Sequence, residues 1–528
     1  MGAIIKAASN PRTHIMPSRL SSAVASLPRA YPGPGGAVAV LRAGETLVRH
    51  AWGYANAERR LPFTPATLFR FCSITKQFTC AALLDLFPDP AVLDADLRAR
   101  LPNLQQSPPS TRQLCHNQSG LRDYWAVAML HGAPAESPFA AAEAERVVAG
   151  TRTLQFTPGA QYSYVNQNFR LLSDVLQHRT GRSFAELLRA CIFDRIGMGS
   201  AVLAADTRAL PDGTEGYEGT QSTGFRPAEN RIIWTGDAGL GASLDDMIAW
   251  ERHIDARRDD PTSLYGRLTA PVTFASGKPS PYGFGLNRGA EFGRDYTGHG
   301  GALRGWRSHR MYLPVERISV VVMFNHLSDA REAALDVLAA ALDIDRPQPP
   351  APKPLPDWAG TWIDPDTSLS VRVDTFPDAH PRLRYGHFSE RLDLQTDGTA
   401  TSPTGTRLRP KPDGLEMERP QENSRALLQR RAGTPAQDIA GRYHCDELNA
   451  ELNIVDAGGA LYGGFSGFLG QGRMELLDPI GLDMWALPCL RALDHTPPGD
   501  WTLAVRRDTD TIDVGCWLAR RLPYRRVS

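Results

Sequence analysis

The rhythm of apolar and polar positions changes once along the chain, near residue 346. Up to there, helical and strand periods alternate. Residues 18–31 predict a short helix, and 36–54 a hairpin, because two apolar runs flank the turn pair Ala43-Gly44. Over 68–87 the spacing of Phe78, Ala82, Leu83 and Leu86 is helical. Helix signals then alternate with loops over 137–198. There Ser137-Pro138 reads as an N-cap followed by proline in the first turn, and 171–178 and 184–196 are amphipathic. Residues 245–255 predict another helix, with Ser243 as its cap. The stretch 282–324 is rich in strands, with 303–310 and 317–324 as neighbours, and 329–344 closes as a helix. Mixed periods of this kind predict an α+β unit.

Six prolines follow between Arg346 and Pro356: Pro347, Pro349, Pro350, Pro352, Pro354 and Pro356. Such a run favours an extended, semi-rigid spacer. Beyond it the helical period all but disappears. Short alternating segments between Gly, Pro and Asp turns predict antiparallel β structure. Two openings look alike: Trp358-Ala359-Gly360-Thr361-Trp362, with an alternating strand to Val373, and Ile439-Ala440-Gly441-Arg442-Tyr443, with one to Val455. The expected division is a mixed unit over 1–345, a linker over 346–356, and two antiparallel β-barrels over 357–435 and 436–528.

Composition narrows the function by exclusion. The 528 residues carry a formal net charge of +0, which removes the electrostatic reason to expect nucleic acid or a membrane surface as partner. The longest apolar run, 318–324, has strand length, far short of the roughly 20 residues that cross a bilayer. Residues 1–20 are too polar for a secretion signal, and Lys6 breaks the myristoylation pattern that Met1-Gly2 begins. Seven scattered cysteines without Cys-x-x-Cys (Cys72, Cys80, Cys115, Cys191, Cys445, Cys489, Cys516) read as reduced thiols, so a cytoplasmic protein is expected. The sequence has no His-Glu-x-x-His, no zinc-spaced Cys/His cluster, no phosphate loop and no Gly-x-Ser-x-Gly elbow. No metal or organic cofactor is implied.

The chain has only five lysines, and one of them, Lys76, follows Ser73 by three positions. On a helix these share a face. A serine in the first turn sits near the positive end of the helix dipole, which favours an alkoxide. An amine one turn on can take the serine proton once its pKa is brought down from about 10.4 by burial or neighbouring cations. Phe71, Cys72, Ile74 and Phe78 supply apolar flanks; the plainer alternative is a cap beside a surface lysine. Tyr-x-Asn occurs at Tyr54-Ala55-Asn56 and at Tyr164-Val165-Asn166. A phenol can relay a proton and an Asn amide can meet a substrate carbonyl, or the tyrosine is simply packed under a loop. Gly298-His299-Gly300-Gly301 precedes a predicted strand. Its glycines admit close backbone approach, strand-edge N–H groups can complete an oxyanion hole, and His299 can orient the leaving side. The alternative is a turn with a surface histidine.

In the order Ser-x-x-Lys, Tyr-x-Asn, His-x-Gly, with gaps of about 90 and 135 residues, the three resemble the signature of the penicillin-recognising serine hydrolases. The likeness extends to the nucleophile helix, Phe71-Cys72-Ser73-Ile74-Thr75-Lys76-Gln77-Phe78-Thr79, and to Leu114-Cys115-His116-Asn117-Gln118-Ser119-Gly120-Leu121. Phe156-Thr157-Pro158-Gly159 leads into the second motif and selects Tyr164 over Tyr54; Gly239-Leu240-Gly241-Ala242-Ser243 precedes Asp245-Asp246-Met247. The resemblance covers about residues 30–345 and implies for them an α/β sandwich of the β-lactamase/transpeptidase type. His299 stands where most β-lactamases and DD-peptidases of the family carry lysine. This change is similar to the D-aminopeptidases and some esterases of the family, and the two barrels resemble the D-aminopeptidases in particular.

The resemblance implies Ser73 as nucleophile, Lys76 as its base and Tyr164 as the relay to the departing amine. The backbone N–H groups of Ser73 and Ala302 would form the oxyanion hole, with Asn166, His299 and Gly301 placing the substrate. It further implies that a loop of the last barrel, 489–500, enters the site, with Asp494 meeting a substrate amine; on residues alone, 494–500 reads as a hairpin turn. The expected function is release of an N-terminal D-amino acid, D-Ala-like, from peptides, amides or esters through an acyl-enzyme. Alternatives are a carboxylesterase or β-lactamase-like hydrolase of the same superfamily, and a non-catalytic binder of peptidoglycan fragments. The expected partners are a small D-amino-acid peptide or amide and a second copy of the chain as homodimer.

Overall fold

The spine of the first unit is an eight-stranded antiparallel sheet. Its order is Leu61–Pro62, Glu45–Asn56, Gly35–Arg42, Ile318–Phe324, Trp306–Leu313, Arg294–Leu303, Leu286–Glu291 and Tyr282–Gly283. The structure, a computed structural model, describes residues 18–348, 350–386, 389–494 and 498–527. Most of the stretch read above for a secretion signal, with Pro349 of the spacer and residues 495–497 of the predicted loop, lies outside the described residues.

Strands Gly35–Arg42 and Ile318–Phe324 are almost continuously apolar because both faces of the sheet are covered. Val38, Val40, Val320 and Val322 pack on one face with Leu20, Val24, Leu27 and Leu338 of the helices Ser18–Ala30 and Ala330–Ala341. Ala37, Ala39, Val321 and Met323 point the other way, into a larger cluster with Phe78, Trp250 and Ile254. This is the two-residue alternation of a strand, with about 1.5–3 kcal/mol for each large aliphatic side chain buried. The hairpin turn is where the sequence predicts it, with Ala43 at φ 53° and Gly44 at φ 79°, the left-handed pair that suits a tight two-residue connection.

The layer on the second face is inserted between the Leu61–Pro62 and Tyr282–Gly283 strands. It contains the helices Thr75–Leu86, Tyr124–Leu130, Asn166–Thr180 and Leu244–Arg257. Ser243 caps the last of these, accepting from Asp246 N. Three local expectations are corrected. The helix predicted over 68–87 begins only at Thr75: Phe69–Arg70 pairs with Leu240–Ala242, Cys72 turns left-handed at φ 53°, and Cys72–Ile74 forms one 3-10 turn. Ser137-Pro138 does not cap a helix; Phe139 bridges Ile232, and the helix starts at Ala141. The predicted strand 303–310 is broken by a turn at Arg304-Gly305, with Gly305 at φ 81°. Gly298-His299-Gly300-Gly301 therefore lies inside the strand Arg294–Leu303, paired with Trp306–Leu313, and not in a turn before it.

Beyond the spacer, the described residues form two antiparallel sheets of nine and ten strands, each barrel-like and nearly closed. Both begin alike. Gly360–Ile363 pairs with Ser370–Thr375 and with Ser424–Arg430; Gly441–Cys445 pairs with Ala450–Asp456 and with Ala519–Arg526. The alternating strands expected to reach Val373 and Val455 are thus hairpins, with Gly360 opposite Val373 and Gly441 opposite Ile454. The middle barrel closes on its own core of Leu383, Leu408 and Leu428. Leu452, Trp501 and Leu522 of the last barrel belong instead to the cluster that fills the first unit.

Candidate active site

Ser73 sits on the 3-10 turn that feeds the helix Thr75–Leu86. Lys76, one turn on, is fully buried and places Nζ 3.0 Å from Ser73 Oγ, 2.9 Å from Asn166 Oδ1 and 2.8 Å from the main-chain oxygen of Asp237. Burial brings the ammonium down to about 8, opposed by the carboxylates of Asp237 and Asp123. Both of those acids are held by hydrogen bonds. Asp237 Oδ2 accepts from Tyr124 OH at 2.6 Å; Asp123 Oδ2 accepts from Asn166 N at 2.5 Å, and its Oδ1 caps the helix Tyr124–Leu130.

Tyr164 shares a side-chain hydrogen bond with Ser73, and its ring centre lies 4.9 Å from Lys76 Nζ. Its surroundings push the phenol well above its ordinary pKa, so it holds its proton through neutral pH. Its backbone is pinned on both sides by Asn117: Ser163 N donates to Asn117 O at 3.0 Å and Val165 N to Asn117 Oδ1 at 3.2 Å. The second Tyr-x-Asn match is elsewhere, at the end of the first hairpin, with Tyr54 47% exposed.

His299 is buried, and both ring nitrogens are engaged. Nδ1 lies 2.6 Å from Gly300 O, so it carries the proton; Nε2 lies 3.1 Å from Tyr282 OH and accepts it. Burial and the nearby Lys76 charge lower the imidazole to about 3, so it is neutral where a family lysine would be a cation. The strand that carries it runs against the nucleophile turn. A Cβ at Gly301 would stand 2.2 Å from Phe71 O and 2.4 Å from Ser308 Oγ, so glycine alone fits this approach. Ala302 follows on the same strand.

The segment leading to Asp494 is fixed to the first unit. Ala492 O accepts from Arg304 Nη2 at 3.0 Å and from Glu136 N at 3.3 Å, while Arg491 Nε pairs with Glu136 Oε1 at 2.7 Å. Asp494 is buried, and its carboxylate acts on Arg307 and on the Cys72 thiol, which burial raises to about 12. Cys72 directly precedes Ser73, so the last barrel brings a carboxylate within electrostatic range of the nucleophile turn.

Ser73, Lys76, Tyr164 and Asn166 are thus joined by direct hydrogen bonds, with the His299 ring 6.2 Å from that of Tyr164. Sequence reasoning missed Asp123, Asp237, Asn117 and Tyr282. Asn117 lies within the Leu114 to Leu121 segment, whose resemblance gave it a place without a role. Asp123 and Asp237 are two among 58 acidic residues, and nothing local distinguishes them.

Residues 20–343 match the family model described as Beta-lactamase, and residues 351–525 match D-aminopeptidase, domain B. The chain is 59% identical over 521 residues to a D-aminopeptidase of Gluconobacter oxydans, covering 97% of this chain and 99% of that one. It is 46% identical over 512 residues to a D-aminopeptidase of Brucella melitensis, covering 96% and 98%. Among solved structures, the octameric penicillin-binding protein homologue from Pyrococcus abyssi shares the fold with a TM-score of 0.52 at 20% identity, covering 78% of this chain and 99% of that one.

Proposed function

The chain belongs to the D-aminopeptidase family, and we propose that it releases N-terminal D-amino acids from peptides, amides or esters by acyl transfer to Ser73. The observation that carries this reading is the buried Lys76 amine, held between Ser73 Oγ, Asn166 Oδ1 and the Asp237 carbonyl. Burial makes a proton on Lys76 costly, so the neutral amine is available near pH 8 to take the Ser73 proton as Oγ attacks the acyl carbon. The oxyanion is received by the N–H groups of Ser73 and Ala302. Tyr164, a phenol at neutral pH, passes its proton to the departing amine and takes one back from the Lys76 ammonium. Water then gives a proton to the neutral Lys76 amine as it attacks the ester, and Lys76 returns that proton to Ser73 Oγ as the acid leaves. Asn166 and His299 orient the substrate beside Gly301.

Specificity follows from charge. Neutral His299 offers no cation to a substrate carboxylate, which disfavours β-lactams and C-terminal carboxylates. Asp494, buried near the nucleophile turn, is the partner for the substrate ammonium. The catalytic unit spans 1–345, the linker 346–356, and the barrels 357–435 and 436–528; the homodimer and cytoplasmic placement complete the proposal. No helix among the described residues is long and apolar enough to cross a membrane.

The test compares hydrolysis of D-alanine p-nitroanilide, its L-isomer and the N-acetylated D-form, with Ser73→Ala as the blank. Preference for the free D-amine is expected. Equal cleavage of the acetylated form would remove the aminopeptidase reading, and an unchanged rate in Ser73→Ala would remove the mechanism.

A further inference from the structure

The loop that carries Tyr164 is gripped from outside by the middle barrel, an element more than 250 residues later in the chain. The grip is the turn between the strands Gly414–Arg419 and Ser424–Arg430. There Tyr162 N donates to Glu422 O at 3.2 Å, and Asn423 Nδ2 donates to Ala160 O at 2.8 Å and to Ser276 Oγ at 3.3 Å. Asn423 holds the left-handed conformation, φ 51°, that aims its amide at the loop.

The turn is itself braced. Glu422 is 2% exposed, and its Oε1 accepts from Arg419 Nε at 2.8 Å and from Trp517 Nε1 of the last barrel at 3.0 Å. Arg419 Nη1 reaches Glu390 Oε1 at 2.7 Å. Arg520, also of the last barrel, donates to Gln161 Oε1 at 3.1 Å. Tyr162 then stands between the Trp517 and Tyr282 rings, 6.4 and 5.6 Å away, and Tyr282 OH meets His299. Burying this many charged and polar groups costs solvation, and the interface gains direction in return: two of its bonds, at Ala160 O and Tyr162 N, end on the backbone of the loop that leads into Tyr164. Tyr162, Ser163, Val165 and Asn166 each have their N–H fixed, the first by the middle barrel and the others by Asn117 and Asp123. The hydroxyl of Tyr164 is therefore placed from two opposite sides.

We propose that Glu422 and Asn423 of the middle barrel are positioning residues that set where the Tyr164 hydroxyl stands, and so tune protonation of the leaving group. The inference rests on the acyl-transfer reading above. A misplaced relay hurts substrates whose leaving group must be protonated and spares those whose leaving group departs as a stable anion.

The experiment uses the full chain and compares kcat/KM for D-alanine p-nitroanilide with that for a D-alanine p-nitrophenyl ester. Asn423→Gly keeps the left-handed backbone and removes the side-chain bonds; Trp517→Phe keeps a ring and removes the last barrel's donor to Glu422 Oε1. Each is expected to lower the anilide-to-ester ratio by about tenfold, with ester turnover retained. A ratio unchanged in both variants, while the unaltered chain turns over both substrates, overturns this inference alone. If one variant does not fold, as read by thermal unfolding, the ratio in the other decides. An unaltered chain inactive on both substrates overturns the hydrolase reading itself.

Discussion

The last barrel shares its hydrophobic cluster with the catalytic unit, whereas the middle barrel encloses a cluster of its own. The two begin with similar hairpins and close through a similar pairing of first and last strands. The last barrel is joined by apolar burial and by backbone bonds such as Asp123 N to Leu518 O at 2.9 Å, and it brings Asp494 toward the nucleophile turn. The middle barrel meets the Tyr164 loop through a polar turn. Similar architecture thus serves two ends. One barrel shares the core of the first unit; the other meets the Tyr164 loop through hydrogen bonds and encloses a core of its own.

Core truncations should separate the two most strongly. Leu452→Ala in the last barrel is expected to cost about 2–5 kcal/mol and to lower the temperature at which activity is lost. Leu383→Ala in the middle barrel should cost a similar amount in a different place. Calorimetry should show the loss in a transition separate from the one that ends Ser73 reactivity. A single transition that shifts equally in both variants would erase the distinction.

The next effect isolates the catalytic unit from both barrels. Labelling of Ser73 by a fluorophosphonate requires no substrate amine, so it reads Lys76 without Asp494. Because burial lowers Lys76 to about 8, its base form is lost as pH falls below that value. Labelling should slow by about tenfold per pH unit below 8 and level off above it. A flat profile between pH 6 and 9 would mean that Lys76 is not the base.

Asp494→Ala should raise KM for a free-amine substrate by about tenfold, roughly 1.4 kcal/mol, and leave the acetylated substrate nearly unaffected. Equal effects on both would confine Asp494 to holding the loop. Tyr54→Phe, at the rejected Tyr-x-Asn match, is expected to change kcat/KM by less than about twofold; a larger change would place that match in the site.

The hydrogen-bonded cluster of Ser73, Lys76, Tyr164 and Asn166 was legible in part where spacing carries chemistry. Ser73 and Lys76 are one turn apart; the choice of Tyr164 over Tyr54 came from the family resemblance of the segment Phe156-Thr157-Pro158-Gly159 before it. What the sequence hides is pairing at a distance. Phe69–Arg70 looks helical because its strand partner, Leu240–Ala242, lies about 170 residues away. His299 reads as a turn residue because its glycines also serve a strand that must pass close to Phe71. Asp123 and Asn117 act on main-chain atoms of the Tyr164 loop, and such contacts leave no periodic trace. Asp494 became a candidate only through resemblance, since His495-Thr496-Pro497-Pro498-Gly499 after it has the composition of any turn.

The most direct test of the account is mass spectrometry of the full chain, quenched during turnover of a D-alanine ester. It predicts one D-alanyl group on the peptide that contains Ser73, accumulating with the D-ester, scarce with the L-ester and missing in Lys76→Met. Turnover with no adduct, or an adduct on a different residue, would contradict it.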